Sequence, residues 1–426
     1  MKLIRSFRGI RPIAQLAAKV ASHPYDVLNR EEAYELAKDN ALSFLHINKP
    51  EVDMPDEVSV YDPSVYAKGR ENLERFISEG TLKQDDTATL YLYKQVMGDH
   101  QQVGLVAAAS VEAYDQDLIK KHEFTRPVKE DDRVHHMDAL DAQVGPVFLT
   151  YKAQASIDAL IAKVIKDAPD YEFEADDATR HVFWVIRDEE LVAAVEGEVN
   201  ALDCLYVADG HHRSAAASRV KKLRQEANPN HTGDEPYNYF LTVLFPHNQM
   251  QILDYNRLVA SLNGHSVNEF LGALAENFNI ELVEGQAKPS KAREFGFYAG
   301  KQWYLLSANS NLLENIDDTD PVASLDVSIL QEFVFSPLLN ILDQRTDKNV
   351  DFVGGIRGLA ELERRTAGDE WQAAFALYPT SIESLMDIAD AGEVMPPKST
   401  WFEPKLKSGL VIHSLKWSAS EKKYHQ

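Results

Sequence analysis

The sequence predicts an α+β fold, and three observations carry that expectation. Two strand-like runs, Thr89 to Val96 and Val103 to Ser110, are joined by Gly98-Asp99-His100, the composition of a hairpin turn. Ile157, Leu160, Ile161, Val164 and Ile165 fall at i, i+3, i+4, i+7 and i+8, the spacing of an amphipathic helix. Between Cys204 and Arg224 a short apolar run, Leu205 to Ala208, passes through Gly210 into a helical pattern, which reads as strand, turn, helix. At 426 residues the chain exceeds one ordinary core, so two or three domains are expected.

Taken in order, Leu3 to Pro12 reads as an opening strand and loop. Pro24 forces His23 to be extended, and Asn29 is suited to cap a helix with Glu31 and Glu32 in its first turn. Ser59 to Leu82 holds a long helix with Tyr66, Leu73, Phe76 and Ile77 on its apolar side, closed by Gly80. After the hairpin, Thr125 and Pro127 place the charges from Lys120 to Arg133 on a loop before a helix with Val134, Met137 and Leu140. Val147 to Tyr151 and Val182 to Ile186 are strands, and Asp188 to Val199 is a helix. The helix after Gly210 turns Ala216, Val220 and Leu223 inward. Tyr239 to Phe245 and Gln251 to Val259 look like paired strands. Beyond Ser261 come a helix near Ser266 to Phe278, three short strands, and a helix that stops before Pro337. Ala373 to Leu377 is a strand, and Thr380 with Glu383 forms a capping box. The domain expectation is an N-terminal region 1–115, a central region 116–260 and a C-terminal region 261–426.

The chemistry concentrates at Asp209-Gly210-His211-His212-Arg213. Free amides at a helix N-terminus, its dipole, an Arg and two His make an anion pocket, most naturally for phosphate. A carboxylate in that place repels phosphate unless a cation or a transferable proton intervenes, so Asp209 points to Mg²⁺ or to proton handling. The same spacing also suits a plain structural turn, with Asp209 capping the helix and the histidines solvated. Tyr25 and Asp26 sit in a rigid loop before a helix, a place for substrate contacts or for simple packing. Met395 to Gly409 is stiffened by Pro396, Pro397 and Pro404 and presents Lys398, Ser399, Thr400 and Lys405, residue types suited to phosphate but without P-loop glycines.

Composition excludes several classes. Hydrophobic residues make 44% and charged ones 26%, a globular balance. The 44 basic and 67 acidic side chains leave a formal charge of −23, which repels nucleic acid and anionic lipid. A lone Cys204 and no zinc-type spacing indicate a reducing compartment. Met1 to Val20 is broken by three arginines and Pro12, and no run approaches a membrane span, so a cytoplasmic protein with a small-molecule substrate is expected. The sequence does not fix the oligomeric state.

The Asp-Gly-His-His-Arg turn followed by small residues resembles the signature of the ParB/sulfiredoxin-like superfamily, especially its free-serine kinases. Those carry an upstream His-Glu pair, matched here by His122-Glu123. The chain also resembles domain-of-unknown-function family 1015 through Pro24 to Val27, His122 to Arg126, Lys129 to Arg133, Asp209 to Arg213 and Met395 to Thr400. The resemblance implies a ParB-like central domain and phosphoryl transfer to free L-serine, forming O-phosphoserine. Glu123 would be the catalytic base, with His122 orienting it or touching phosphate. Gly210, His211, His212, Arg213 and Arg126 would hold phosphate, and Lys398, Ser399 and Thr400 are further candidates. Asp209 would bind Mg²⁺, and the donor would be ATP, ADP or diphosphate. The same parts suit a phosphatase, or a nucleotide- or phosphate-sensing regulator without catalysis.

Overall fold

A computed structural model describes residues 1–416 and divides the chain into two compact units. The first is Met1–Met250 with Pro404–Gln426, and the second is Gln251–Glu403. The expected boundary at 115/116 separates nothing, because strands from both sides of it share one sheet. The chain leaves the first unit at 250, not 260, and returns to it at 404.

That sheet has nine strands: β1 (Ile4–Arg5), β2 (Tyr91–Met97), β3 (His100–Ser110), β4 (Ile119–Lys120), β5 (Val147–Tyr151), β6 (Tyr171–Glu174), β7 (Arg180–Val185), β8 (Leu205–Asp209) and β9 (Tyr239–Pro246). Their order is β4-β8-β5-β9-β3-β2-β7-β6, with β1 beside β3. The β4/β8 and β5/β9 pairs are parallel and the others antiparallel. The expected hairpin is β2–β3, with Gly98 at positive φ in the turn. Central β3 is buried from Leu105 to Ser110, and Ala107 to Ala109 keep it thin. A Cβ at Gly104 would come within 2.6 Å of the Phe245 ring of neighbouring β9, so this strand interior needs glycine.

Among the described residues, six helices of eight residues or more belong to this unit: α1 (Arg30–Ala37), α2 (Pro63–Ser78), α3 (Pro127–Leu140), α4 (Ala155–Val164), α5 (Glu189–Asn200) and α6 (His211–Ala227). Asn29 caps α1 in a box with Glu32, and Asp188 caps α5. Three expectations change here. Pro127 does not interrupt a helix but begins α3, because proline at the first helical position forfeits an amide that has no partner anyway; Lys129 to Arg133 therefore ride on the helix. Leu223 and Ile77 are solvent-facing rather than inward. Tyr239 to Phe245 pairs with β3 and β5, not with Gln251 to Val259, whose partners lie in the second unit.

The second unit carries a six-stranded antiparallel sheet ordered Phe278–Val283, Gln302–Ala308, Glu294–Ala299, Ala373–Leu377, Tyr255–Val259, Val350–Gly354. Its Asp326–Leu330 helix runs on through a π-turn into Ser336–Leu339, so Pro337 starts a last helical turn instead of ending the helix. The helix Ile382–Asp390 is capped by Ser381, whose hydroxyl accepts from the Ser384 amide; Thr380 instead donates to the Ser399 carbonyl.

Residues 404–416 thread back through the first unit as a strap. Ser408 bridges Ser22, Ile412 bridges Ile10, and His413 pairs with Gln143. Lys407 Nζ lies 2.8 Å from Asp177. Burial alone would raise that carboxyl, but the Lys407 contact and the Thr179 amide outweigh it and hold it near about 2.

Several histidines are built in neutral. His136 donates to the Ile47 carbonyl, His413 to the Pro236 carbonyl, and His181 pairs with the Tyr93 hydroxyl at 2.7 Å. Burial pushes His136 and His413 down to about 4 and His181 to about 3. In the unfolded chain each takes a proton near pH ~6.5, so the unfolded state binds more protons through the window from about 6.5 down to 4. The unfolding free energy from urea titration is therefore expected to fall steadily as pH drops through that window, by up to about 2–3 kcal/mol per histidine at its lower end. His413→Asn should lower stability at pH 7 yet flatten the acid slope; an unchanged slope refutes the assignment.

Candidate functional site

The site is assembled by one topological fact. β4 and β8 are parallel neighbours, with Ile119 opposite Leu205 and Lys120 opposite Tyr206, so both strands end on the same edge. The segments that follow them, His122-Glu123 and Asp209 to Arg213, emerge side by side. A register shift between Val207 and Asp209 against β5 marks a bulge at the end of β8, a device that re-aims side chains at strand ends. Gly210 then turns the chain at φ 102°, and α6 begins at His211.

His122 and His211 are both buried, their rings edge-to-face with centroids 4.4 Å apart. Glu123 Oε2 lies 3.7 Å from His211 Nδ1, and its side chain is 42% exposed. Burial pushes the His211 imidazole down to about 4, against the opposing pull of Asp209. Burial and the neighbouring His211 hold His122 well below the ordinary histidine range. Both rings are therefore neutral at pH 7. His212 accepts the Arg126 backbone amide at Nε2, 3.0 Å, so its proton is on Nδ1. What meets the turn from Arg126 is its amide; the residue is also the N-cap of α3.

Arg213 folds back across the turn. Its Nη1 donates to the Pro146 carbonyl, and its Nη2 is 3.7 Å from Asp26 and 4.0 Å from Asp209. Arg213 Nε is buried without a partner. Gly210 is required twice over: its φ suits glycine, and a Cβ there would sit 3.2 Å from Arg213 Nε. Tyr25 stacks under the Arg133 guanidinium at 3.9 Å, with Arg213 at 6.0 Å. Burial and the adjacent Asp26 push the Tyr25 phenol up to about 12. Arg133 in turn holds Asp132, which accepts the Tyr66 hydroxyl.

Asp209 differs from expectation. Its carboxylate is engaged by Lys405 Nζ at 2.9 Å, and Lys405 with Arg213 outweighs burial to hold it ionised far below the usual range. The described groups of His, Cys, Asp or Glu close enough to share an ion are His122-Glu123-His211 and His23-Asp176-Asp177, and Asp209 is in neither. Sequence reasoning names Lys405 only as one residue of a proline-stiffened loop and Arg133 only as one charge of the run from Lys120. Their signal is spatial, since one comes from the returning strap and the other from a helix read as loop. Within the charge run, Glu130 and Asp131 pair with Arg219 on α6, as Asp138 beyond the run pairs with Arg224. Lys398, Ser399 and Thr400 belong to the second unit. There Ser399 Oγ donates to the Pro396 carbonyl and Lys398 Nζ is 5.6 Å from the Tyr255 ring.

Fold and corner together define an α+β protein with a glycine-turned helix N-terminus set beside a His-Glu pair. More particularly, residues 4–328 match the family described as "Protein of unknown function (DUF1015)", and the chain belongs to that family. Met395 to Thr400 lies beyond the matched residues. No curated protein matches the chain. Among solved structures it is similar to SbnI with C-terminal truncation from Staphylococcus aureus (12% identity, 75% of this chain, 93% of that chain, TM-score 0.38). It is also similar to a mutant free serine kinase in complex with ADP (12%, 73%, 94%, 0.33). A third is a conserved hypothetical protein from Pyrococcus furiosus (14%, 72%, 95%, 0.32). At these identities the likenesses are distant. Among the described residues no helix is long and apolar enough to cross a membrane.

Gly210→Ala is expected to cost about 1–3 kcal/mol in urea unfolding, from a strained φ and a displaced Arg213. A loss within about 0.5 kcal/mol, the range of an ordinary surface change, contradicts the close approach described here.

Proposed function

We propose that this chain is a phosphotransferase acting on a small hydroxyl acceptor, with free L-serine as acceptor and O-phosphoserine as product. One observation carries the reading: a half-exposed carboxylate, Glu123, stands 3.7 Å from His211 at the N-terminus of α6, whose first turn also carries the buried Arg213. In this reading the acceptor hydroxyl gives its proton to Glu123. Its oxygen attacks the terminal phosphorus of ATP, ADP or diphosphate, and the P–O bond to the leaving phosphate breaks with its electron pair on that oxygen. Arg213, the first-turn amides of α6 and the His211 and His212 rings offset charge on the transferring group. His122, edge-to-face on His211, orients the pair, and Tyr25 and Asp26 border the acceptor.

A Mg²⁺ ion arriving with the donor would offset phosphate charge in such a reaction. Asp209, the expected ligand, does not fit it, because Lys405 already occupies its carboxylate and Arg213 adds a second cation. Asp209 therefore has no metal-binding role in the transfer.

A phosphorus-NMR screen of ATP, ADP and diphosphate with L-serine tests the reading. Glu123→Gln is expected to lower turnover by about 10²–10⁴ while donor affinity changes little. Normal turnover in Glu123→Gln ends the role given to that carboxylate. Donor binding without turnover in the unsubstituted chain favours the sensing alternative.

A further inference from the structure

We propose that His122, Glu123 and His211 form a binding site for a borderline transition-metal dication such as Zn²⁺ or Co²⁺. The inference goes beyond the phosphotransferase reading and stands or falls separately from it.

One ring nitrogen from each histidine and one Glu123 oxygen lie within 4.8 Å of one another. Tetrahedral Zn²⁺ with bonds of about 2.1 Å sets its ligand atoms about 3.4 Å apart, so closure asks for movements of about 1 Å. The half-exposed Glu123 side chain is the part able to supply them. Two further observations point to a ligand. His122 Nδ1 is buried without a hydrogen-bond partner on a residue only 2% exposed, and the buried His211 ring turns its Nδ1 toward Glu123 Oε2 at 3.7 Å. A polar atom shut away from water without a partner is destabilising, and a cation bound at His122 Nδ1 would offset that as coordination. His122 also has a backbone hydrogen bond with Val207, and with Nδ1 unpartnered that bond falls to Nε2. Metal-binding imidazoles are oriented in this way, one nitrogen on a carbonyl and the other on the ion.

The donor set selects the ion. Two imidazoles and one carboxylate suit Zn²⁺ or Co²⁺, whereas Mg²⁺ prefers oxygens and keeps its waters. The ion would take the carboxylate that the phosphotransfer reading uses as base, so metal loading and turnover would exclude each other; for that reason the test reads binding and not turnover.

The chelator-treated full chain is titrated with Co²⁺, followed by visible absorption and calorimetry, then challenged with Zn²⁺ and Mg²⁺. The expected result is one Co²⁺ per chain with an intense low-symmetry visible band, displaced by Zn²⁺ but not by equimolar Mg²⁺. His122→Ala and His211→Ala should each weaken Co²⁺ binding by at least about 100-fold, judged on protein whose circular dichroism is unchanged. Glu123→Gln, at a half-exposed position where folding is not at stake, should shift the band and weaken binding by at least about 10-fold. Substoichiometric uptake, a band unaltered by Glu123→Gln, or displacement by equimolar Mg²⁺ overturns the proposal.

Discussion

Two residue pairs of parallel ladder, Ile119 with Leu205 and Lys120 with Tyr206, are the constraint on which the candidate site depends. They bring together segments almost ninety positions apart, as the Arg126–His212 contact across a separation of 86 shows. So short a ladder cannot hold itself. Its support is the packing of α3 on α6, where Val134 and Met137 from one helix and Ala216 and Val220 from the other belong to the same core. The Arg219 and Arg224 ion pairs between these helices are partly exposed and contribute about 0–1 kcal/mol each. Register comes from charge; holding strength comes from apolar burial.

The corner lies in a strongly acidic protein, and its cations are already engaged. Arg213 is shared among Asp26, Asp209 and a carbonyl, and Lys405 is on Asp209. An incoming phosphate must therefore compete with a carboxylate. The two carboxylates are unequal: Asp26 is 37% exposed and 3.7 Å from the guanidinium, whereas Asp209 is gripped by an ammonium at 2.9 Å. Releasing Asp26 to water costs little, while Asp209, itself 28% exposed, would give up the closer of the two ion pairs on leaving Lys405. The geometry thus makes Asp26 the displaceable partner and Asp209 a fixed one.

Much of this was legible in the sequence. Gly210 between an apolar run and a helical pattern gave the turn, and Asn29 and Asp188 gave helix starts, because caps and positive-φ glycines are local signals. The errors have physical causes. Pro127 was read as a breaker when its position made it a starter. Leu223 was placed inward by spacing, yet α6 is packed on its small face at Ala216 and Ala217 and leaves Leu223 outside. The partners of Tyr239 to Phe245 are non-local, and hydrophobic pattern does not name a strand's neighbour.

Lys405 shows the limit most sharply. The second unit interrupts the first in sequence, and it begins and ends on a two-stranded ribbon in which Gln251 pairs with Glu403 and Leu253 with Trp401. An antiparallel neck returns the chain close to where it left, so an insertion of this length adds little closure entropy to the first unit. The strap that follows is then free to run Ser408 along Ser22 and Ile412 along Ile10, which fixes Lys405 at Asp209. The cation that decides what Asp209 can do thus comes from beyond the residues that define the family match, 4–328. The role of Asp209 is set by a residue 196 positions away, and no reading of its own motif contains it.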